Sequence, residues 1–227
     1  MVRRRTLALG AVLILAVIGC DSRTRPRSAS GAPSASGSDA LPLPATPSET
    51  VTYVQRLRSE RRYGRLRDFL EPEHATAIID FLLAMDELLA ANAEVQAALH
   101  RHAPQVNAAQ WDLAELQYAQ GLFAEPIEIV DERGDDRSAD VTIQVAGRLP
   151  LETVPMRRRG DRWVYAPETG PGDMPEALRG VARGLHRIAR AIEGGATTEE
   201  AVRDEFRTRI SPKLEAVAAA AASNDAP

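Results

Sequence analysis

Glu71, Glu73 and His74 form the tightest group of proton-carrying side chains in the sequence. Carboxylates and an imidazole so close together can move a proton, which is general acid–base chemistry. No nucleophile motif stands beside them. Acidic residues at a helix start also offset the positive end of the helix dipole, and that role already accounts for the group. The four histidines are His74, His100, His102 and His186. A metal needs ligands that converge. His100 and His102, two apart near the end of a helix, point to different faces, and Arg101 between them disfavours a cation. Histidines at a helix end suit the dipole instead. No phosphate-binding glycine loop, nucleophile elbow, zinc-protease motif or dinucleotide fingerprint occurs. These residues point to no metal and no cofactor, and to binding in place of catalysis.

Arg157-Arg158-Arg159 is the densest run of charge in the body of the chain. In a strand, Arg157 and Arg159 share one face and Arg158 takes the other. Such a run at a hairpin discourages edge pairing. Arg157 and Arg159, with Trp163 and Tyr165 on the neighbouring strand, are also the candidate contact for an anionic partner. Arg179, Arg183, Arg187 and Arg190 fall on the polar side of a later helix, where they read as solvated charge.

The remaining chemistry is the single cysteine, Cys20. Arg3, Arg4 and Arg5 open the chain, and an uncharged, mostly aliphatic stretch follows from Thr6 to Gly19. A positive start, a short apolar middle and small residues at the end make a secretory signal. The stretch is shorter than the roughly 20 residues that span a bilayer. Val17-Ile18-Gly19-Cys20 resembles the lipobox of bacterial lipoproteins. The resemblance implies cleavage between Gly19 and Cys20, a diacylglyceryl group on the Cys20 thiol and an acylated new amino terminus. It places the protein on the extracytoplasmic (periplasmic) side of the cell membrane, held by lipid. More than one buried acyl chain, at about 0.8 kcal/mol per CH₂, gives stable anchoring. The absence of further cysteines agrees, since exported domains that need disulfides carry Cys in pairs.

Residues 20–47 hold the lipidated cysteine and a Ser, Pro and Ala-rich stretch without an aromatic residue. Such a composition reads as a flexible tether whose ends sit ~30 Å apart. Residues 48–222 read as a single domain and 223–227 as a disordered tail. The chain carries 28 Lys and Arg against 32 Asp and Glu, and three of the arginines belong to the leading signal. The part after Cys20 is therefore mildly acidic, which argues against nucleic acid as a partner. A membrane through Cys20, another envelope protein or a small ligand are the partners that remain.

The elements that must position these residues fall into three blocks. Helices are expected over 48–121. Thr46-Pro47-Ser48-Glu49 is a capping box, Val51, Val54 and Leu57 follow at helical spacing, and the first helix should yield at Gly64. Pro72 opens a longer, strongly apolar helix, and Asn107 to Gln110 starts another that stops at Gly121. Strands are expected over 126–166, where apolar and polar residues alternate around Gly134-Asp135-Asp136 and Gly160-Asp161. Helices return over 174–222, with Asp173 and Glu176 as a capping box and Thr197 with Glu200 as the next start. No heptad run is long enough for a coiled coil.

Helices, a meander of three or four antiparallel strands and further helices make an α+β domain. The order of elements and the closing "GDRWVYAP" strand resemble the NTF2-like cone fold over residues 48–167. That resemblance implies a pocket between the concave sheet and the long helices, and it includes enzymes and binding domains alike. An enzyme with a pocket acid or base is thus the alternative reading. A structural envelope protein oligomerising through its C-terminal helices is the other.

Overall fold

The computed structural model describes residues 43–215 and 217. The signal of residues 1–19, Cys20 and most of the tether lie outside the described residues, as does the tail 223–227.

Helix α1 (Pro47–Ser59) begins at the expected capping box. The Thr46 hydroxyl accepts from Glu49 N at 3.2 Å, and the Glu49 carboxylate accepts from Thr46 N at 3.2 Å. Val51, Val54 and Leu57 are fully buried. The helix does not reach Gly64. It closes at Ser59 because Arg61 adopts the left-handed conformation, φ 55°, which lets Arg62 N reach Leu57 O at 2.8 Å. Gly64 lies inside the next short helix, α2 (Tyr63–Leu66), and a 3₁₀ turn follows at Arg67–Phe69.

Helix α3 (Pro72–His102) is the longest element and packs along α4 (Met174–Glu193). Both bury residues at alternating steps of three and four. In α3 these are Ile78, Phe81, Met85, Leu88, Asn92, Val95 and Leu99; in α4 they are Met174, Leu178, Val181, Leu185, Ile188 and Ile192. Such spacing keeps a seam facing its partner helix. Polar pairs flank the seam: Arg179 lies 2.5 Å from Asp80 and 3.6 Å from Glu87, His186 is 2.7 Å from Glu94, and Arg101 is 3.7 Å from Glu193. The partners ascend together, so the two helices run parallel. A parallel pair needs a return path between them, and the sheet supplies it. The α3 run from Ile78 to Leu99 covers three heptads, with the polar Asn92 among them, and pairs with the matching run of α4, a heptad pattern not expected from the sequence.

Between α3 and the sheet, residues Ala108–Trp111 and Ala114–Phe123 form 3₁₀ turns, not the expected α-helix. Asn92, inside the α3 seam, holds them: its amide donates to Asp112 Oδ1 at 2.7 Å and its carbonyl accepts from Leu113 N at 3.1 Å. Side-chain hydrogen bonds of this kind compete with helix geometry.

The sheet is antiparallel, in the order β1 (Ile127–Gly134), β2 (Ser138–Val145), β3 (Glu152–Arg159), β4 (Arg162–Tyr165). The fold is therefore α+β, with four strands between two helical blocks. Val141, Ile143, Val154 and Met156 face the core. Helix α1 and the 114–123 segment cover that inner face. Asp173 stands at the N-cap of α4 without a side-chain capping bond, so the expected box is not formed there. Helix α5 (Glu199–Arg209) is capped by Thr198, which accepts from Ala201 N at 3.2 Å, one residue beyond the expected Thr197. The segment after α5 crosses α4 at Gly184, where an added Cβ would meet Ile210 Cδ1 at 2.7 Å and Arg209 O at 3.0 Å.

Candidate functional site

The arginine run occupies the hairpin of β3 and β4. Its register pairs Arg157 with Val164, Arg158 with Trp163 and Arg159 with Arg162. Gly160, φ 62°, supplies the left-handed residue of the turn. Directly paired residues share a face, so Arg157, Arg159 and Arg162 stand on the outer face of the sheet. Arg158, Trp163 and Tyr165 stand on the inner one. The alternation expected for the three arginines is present, but the grouping of Arg157 and Arg159 with Trp163 and Tyr165 is divided by the sheet. Trp163 is buried under Arg158, whose guanidinium carbon lies 5.8 Å from the ring centroid. Tyr165 meets Phe123 edge-on at 5.8 Å.

Glu71 reaches this hairpin from the start of α3. Leu70 bridges Tyr165 in parallel, and Glu71 N donates to Tyr165 O at 2.8 Å, so the residues before Pro72 extend the sheet edge at β4. That contact delivers the Glu71 carboxylate to the outer face. Arg159 donates to Glu71 Oε1, and Arg157 Nη1 lies 4.0 Å from Oε2. The Glu71 side chain is only 2 % exposed, whereas those of Arg157, Arg159 and Arg162 are 60 %, 52 % and 41 % exposed. Glu71 Oε2 is buried without a hydrogen bond. The Glu71 bond raises the Arg159 guanidinium above its ordinary value. A buried carboxylate thus pins one arginine from beneath while the outer edges of three stay in solvent. Guanidinium groups are donors only and match the oxygens of carboxylate and phosphate. The arrangement can hold an anion; it offers no nucleophile.

Of the other members of the early acid–histidine group, Glu73 adds its charge to that of Glu71 at Arg159. His74 Nε2 lies 3.6 Å from Glu73 Oε1, and its Nδ1 abuts Gly170, where an added Cβ would sit 3.2 Å away. His186 pairs with Glu94 on the α3–α4 seam, and His100 and His102 are in the last turn of α3. Among the described residues no three His, Cys, Asp or Glu side chains come together as a metal site would need. Arg179 is engaged by Asp80 and Arg183 by Glu176, while Arg187 and Arg190 are exposed. Cys20 and Gly19 lie outside the described residues.

Two polar groups carry no sequence signal and appear only in the fold. Arg58, nearly buried, forms a two-pronged pair with Asp86 at 2.6 and 3.0 Å and donates to Gln120 Oε1 at 3.0 Å. The Tyr63 hydroxyl accepts from Arg58 and donates to Asp86 Oδ2 at 2.5 Å. Burial, the largest single influence, pushes the Asp86 carboxyl up, but the hydrogen bonds of Arg58 and Tyr63 outweigh it and hold it below its ordinary value. Burial and the bond to Asp86 push the Tyr63 hydroxyl up to about 12. The second group is Glu152 on the inner face. Burial raises its carboxyl, and its Oε2 lies where a Cβ on Gly121 would be, 2.7 Å away. Tyr165, on the same face, is pushed up to about 12 by burial and by the charge of Glu152.

No family model matches the chain, and no curated protein or solved structure is significantly similar to it.

Proposed function

We propose that this chain is a membrane-anchored extracytoplasmic lipoprotein that presents its α+β domain for binding and carries no catalytic activity. The observation that carries the reading is Val17-Ile18-Gly19-Cys20, directly after an arginine-led apolar stretch. The exposed outer edges of Arg157, Arg159 and Arg162 support a binding role with an anionic partner, because they offer donors without a reacting group. Helix α4 places its apolar stripe against α3 in the same chain, which takes that stripe away from a role in oligomerisation. Glu152, a carboxyl on the inner face that burial raises above its ordinary value, is what the second reading, an enzyme with a buried acid, would rest on.

Palmitate labelling in cells tests the anchor. Wild-type protein is expected to take up label, and Cys20→Ala is not. Equal labelling of the two removes the proposal.

A further inference from the structure

We propose that the Glu152 carboxyl is a pH-operated latch that seats the 114–123 segment on the inner face of the sheet. Glu152 opens β3 opposite Ile143, a core residue, so its side chain enters that inner face. There it meets the bare backbone of Gly121: a Cβ on that residue would lie 2.7 Å from Glu152 Oε2. Gly121, with φ 55° and ψ −121°, is the kink of the segment, and Gln120, Leu122 and Phe123 around it are buried. A glycine both takes that backbone shape and leaves room for the carboxyl. Burial alone sets the proton affinity of Glu152; no hydrogen-bond donor and no cation of a described residue offsets it.

The charged groups on the surrounding elements are engaged with other partners. β2 shows the inner face only Val141, Ile143 and Val145 beside Ala139. β1 brings Glu132, which accepts from Ser48 N at 3.0 Å. On β3 itself, Arg158 lies over Trp163. The segment brings Glu115, bonded to Arg148, and Tyr118, beneath the Arg148 guanidinium. Helix α1 brings Arg58, paired with Asp86, and Tyr53, whose hydroxyl is buried. β4 brings Tyr165, which stays protonated because its hydroxyl is pushed up to about 12. A neutral carboxyl sits in such surroundings at little cost, and a carboxylate does not. As pH rises, the ionised side chain turns toward water and Gly121 loses the group that fills the space beside it. Gln120 is tied to Arg58 before this point and Ala124 O to Gln55 after it, so the loosening is confined to the kink and to Phe123, which meets Tyr165 edge-on. Because the folded-state carboxyl is raised, the stability it contributes is whole below the ordinary glutamate value and is lost as pH rises through the folded one.

Amide exchange at Ala124, whose N–H donates to Gly121 O at 2.9 Å, reads the latch. The full chain carrying Cys20→Ala, so that no anchor is involved, is compared with the same chain carrying E152Q at about pH 5 and about pH 8. Taking the ratio at each pH cancels the chemical pH dependence of exchange. The two are expected to exchange alike at the lower pH, where both side chains are neutral, and the Glu152 form roughly threefold or more faster at the higher. A ratio that is the same at both pH values, or faster exchange in E152Q at the higher one, overturns the proposal. Should E152Q lose its cooperative melt, an NMR titration of the parent chain decides. The Glu152 carboxyl carbon and the Ala124 amide are expected to move with one shared midpoint above the ordinary glutamate value; separate midpoints, or an ordinary one, overturn the latch.

Discussion

Asp86→Asn is expected to destabilise the domain by about 3–5 kcal/mol, because it leaves Arg58 as a buried charge without its counter-ion. The Arg58 side chain is 9 % exposed and its Nε already lacks a partner. The substitution also turns one carboxylate oxygen into an amide donor, so a single Oδ1 remains to serve Arg58 and Tyr63 beside the Tyr63 hydroxyl and Gln120 Oε1. For a domain of this size each kcal/mol lowers the melting temperature by about 2–4 °C, so a fall of roughly 10 °C is expected in a calorimetric melt. The double variant Arg58→Met with Asp86→Leu serves as the contrast: replacing both charges by apolar groups is expected to cost less than removing one. The pH dependence follows the same pair. Asp86 is held below 3.8 in the folded state, so its contribution is whole above that pH and is lost as pH falls through the folded value. Asp86→Asn should therefore flatten part of the acid limb of the stability curve. A variant as stable as wild type would show that the network is incidental to the fold.

The second large effect is expected at Gly134. A Cβ there would lie 2.2 Å from Ser138 O and 2.5 Å from Ala139 Cα. Both atoms are backbone, so no rotamer change relieves the clash, and the β1–β2 hairpin must open or shift. Overpacking of this kind costs about 1–3 kcal/mol and occasionally more, and Gly134→Ala should lie at the upper end. The other hairpin provides the comparison. Gly160 has φ 62° and open space where its Cβ would go, so Gly160→Ala meets only the left-handed backbone penalty of about 1–2 kcal/mol. Urea unfolding of the two variants checks the order, and amide exchange in β1 and β2 should speed up more in Gly134→Ala than in Gly160→Ala. A Gly134→Ala midpoint at or above that of Gly160→Ala would contradict this account of the turn.

Local chemistry made much of this architecture readable in advance. The capping box at Thr46 and Glu49, both hairpin loops, the alternation of Arg157 to Arg159 and the buried positions of α4 depend on neighbours within a few residues, and the structure carries them. What was hidden depends on residues far apart in the chain. Glu71 and Arg159 are 88 positions apart, and nothing at either end advertises the other. Arg58 and Asp86 sit on different helices, each unremarkable among its own neighbours. The placement of Trp163 and Tyr165 opposite Arg157 and Arg159 follows from register, which spacing along the sequence does not specify. The end of α1 at Ser59 turned on Arg61 taking a conformation usually left to glycine, while Gly64, the expected stop, stayed helical. The 3₁₀ turns between Ala108 and Phe123 likewise answer to Asn92, a tertiary contact that overrides the local helical pattern.

Intact mass of the protein extracted from native membranes tests the mooring most directly. A polypeptide that begins at Cys20 and carries the added mass of a diacylglyceryl group and an amide-linked acyl chain is the expected species. An unmodified chain that still begins at Met1 would contradict the anchor.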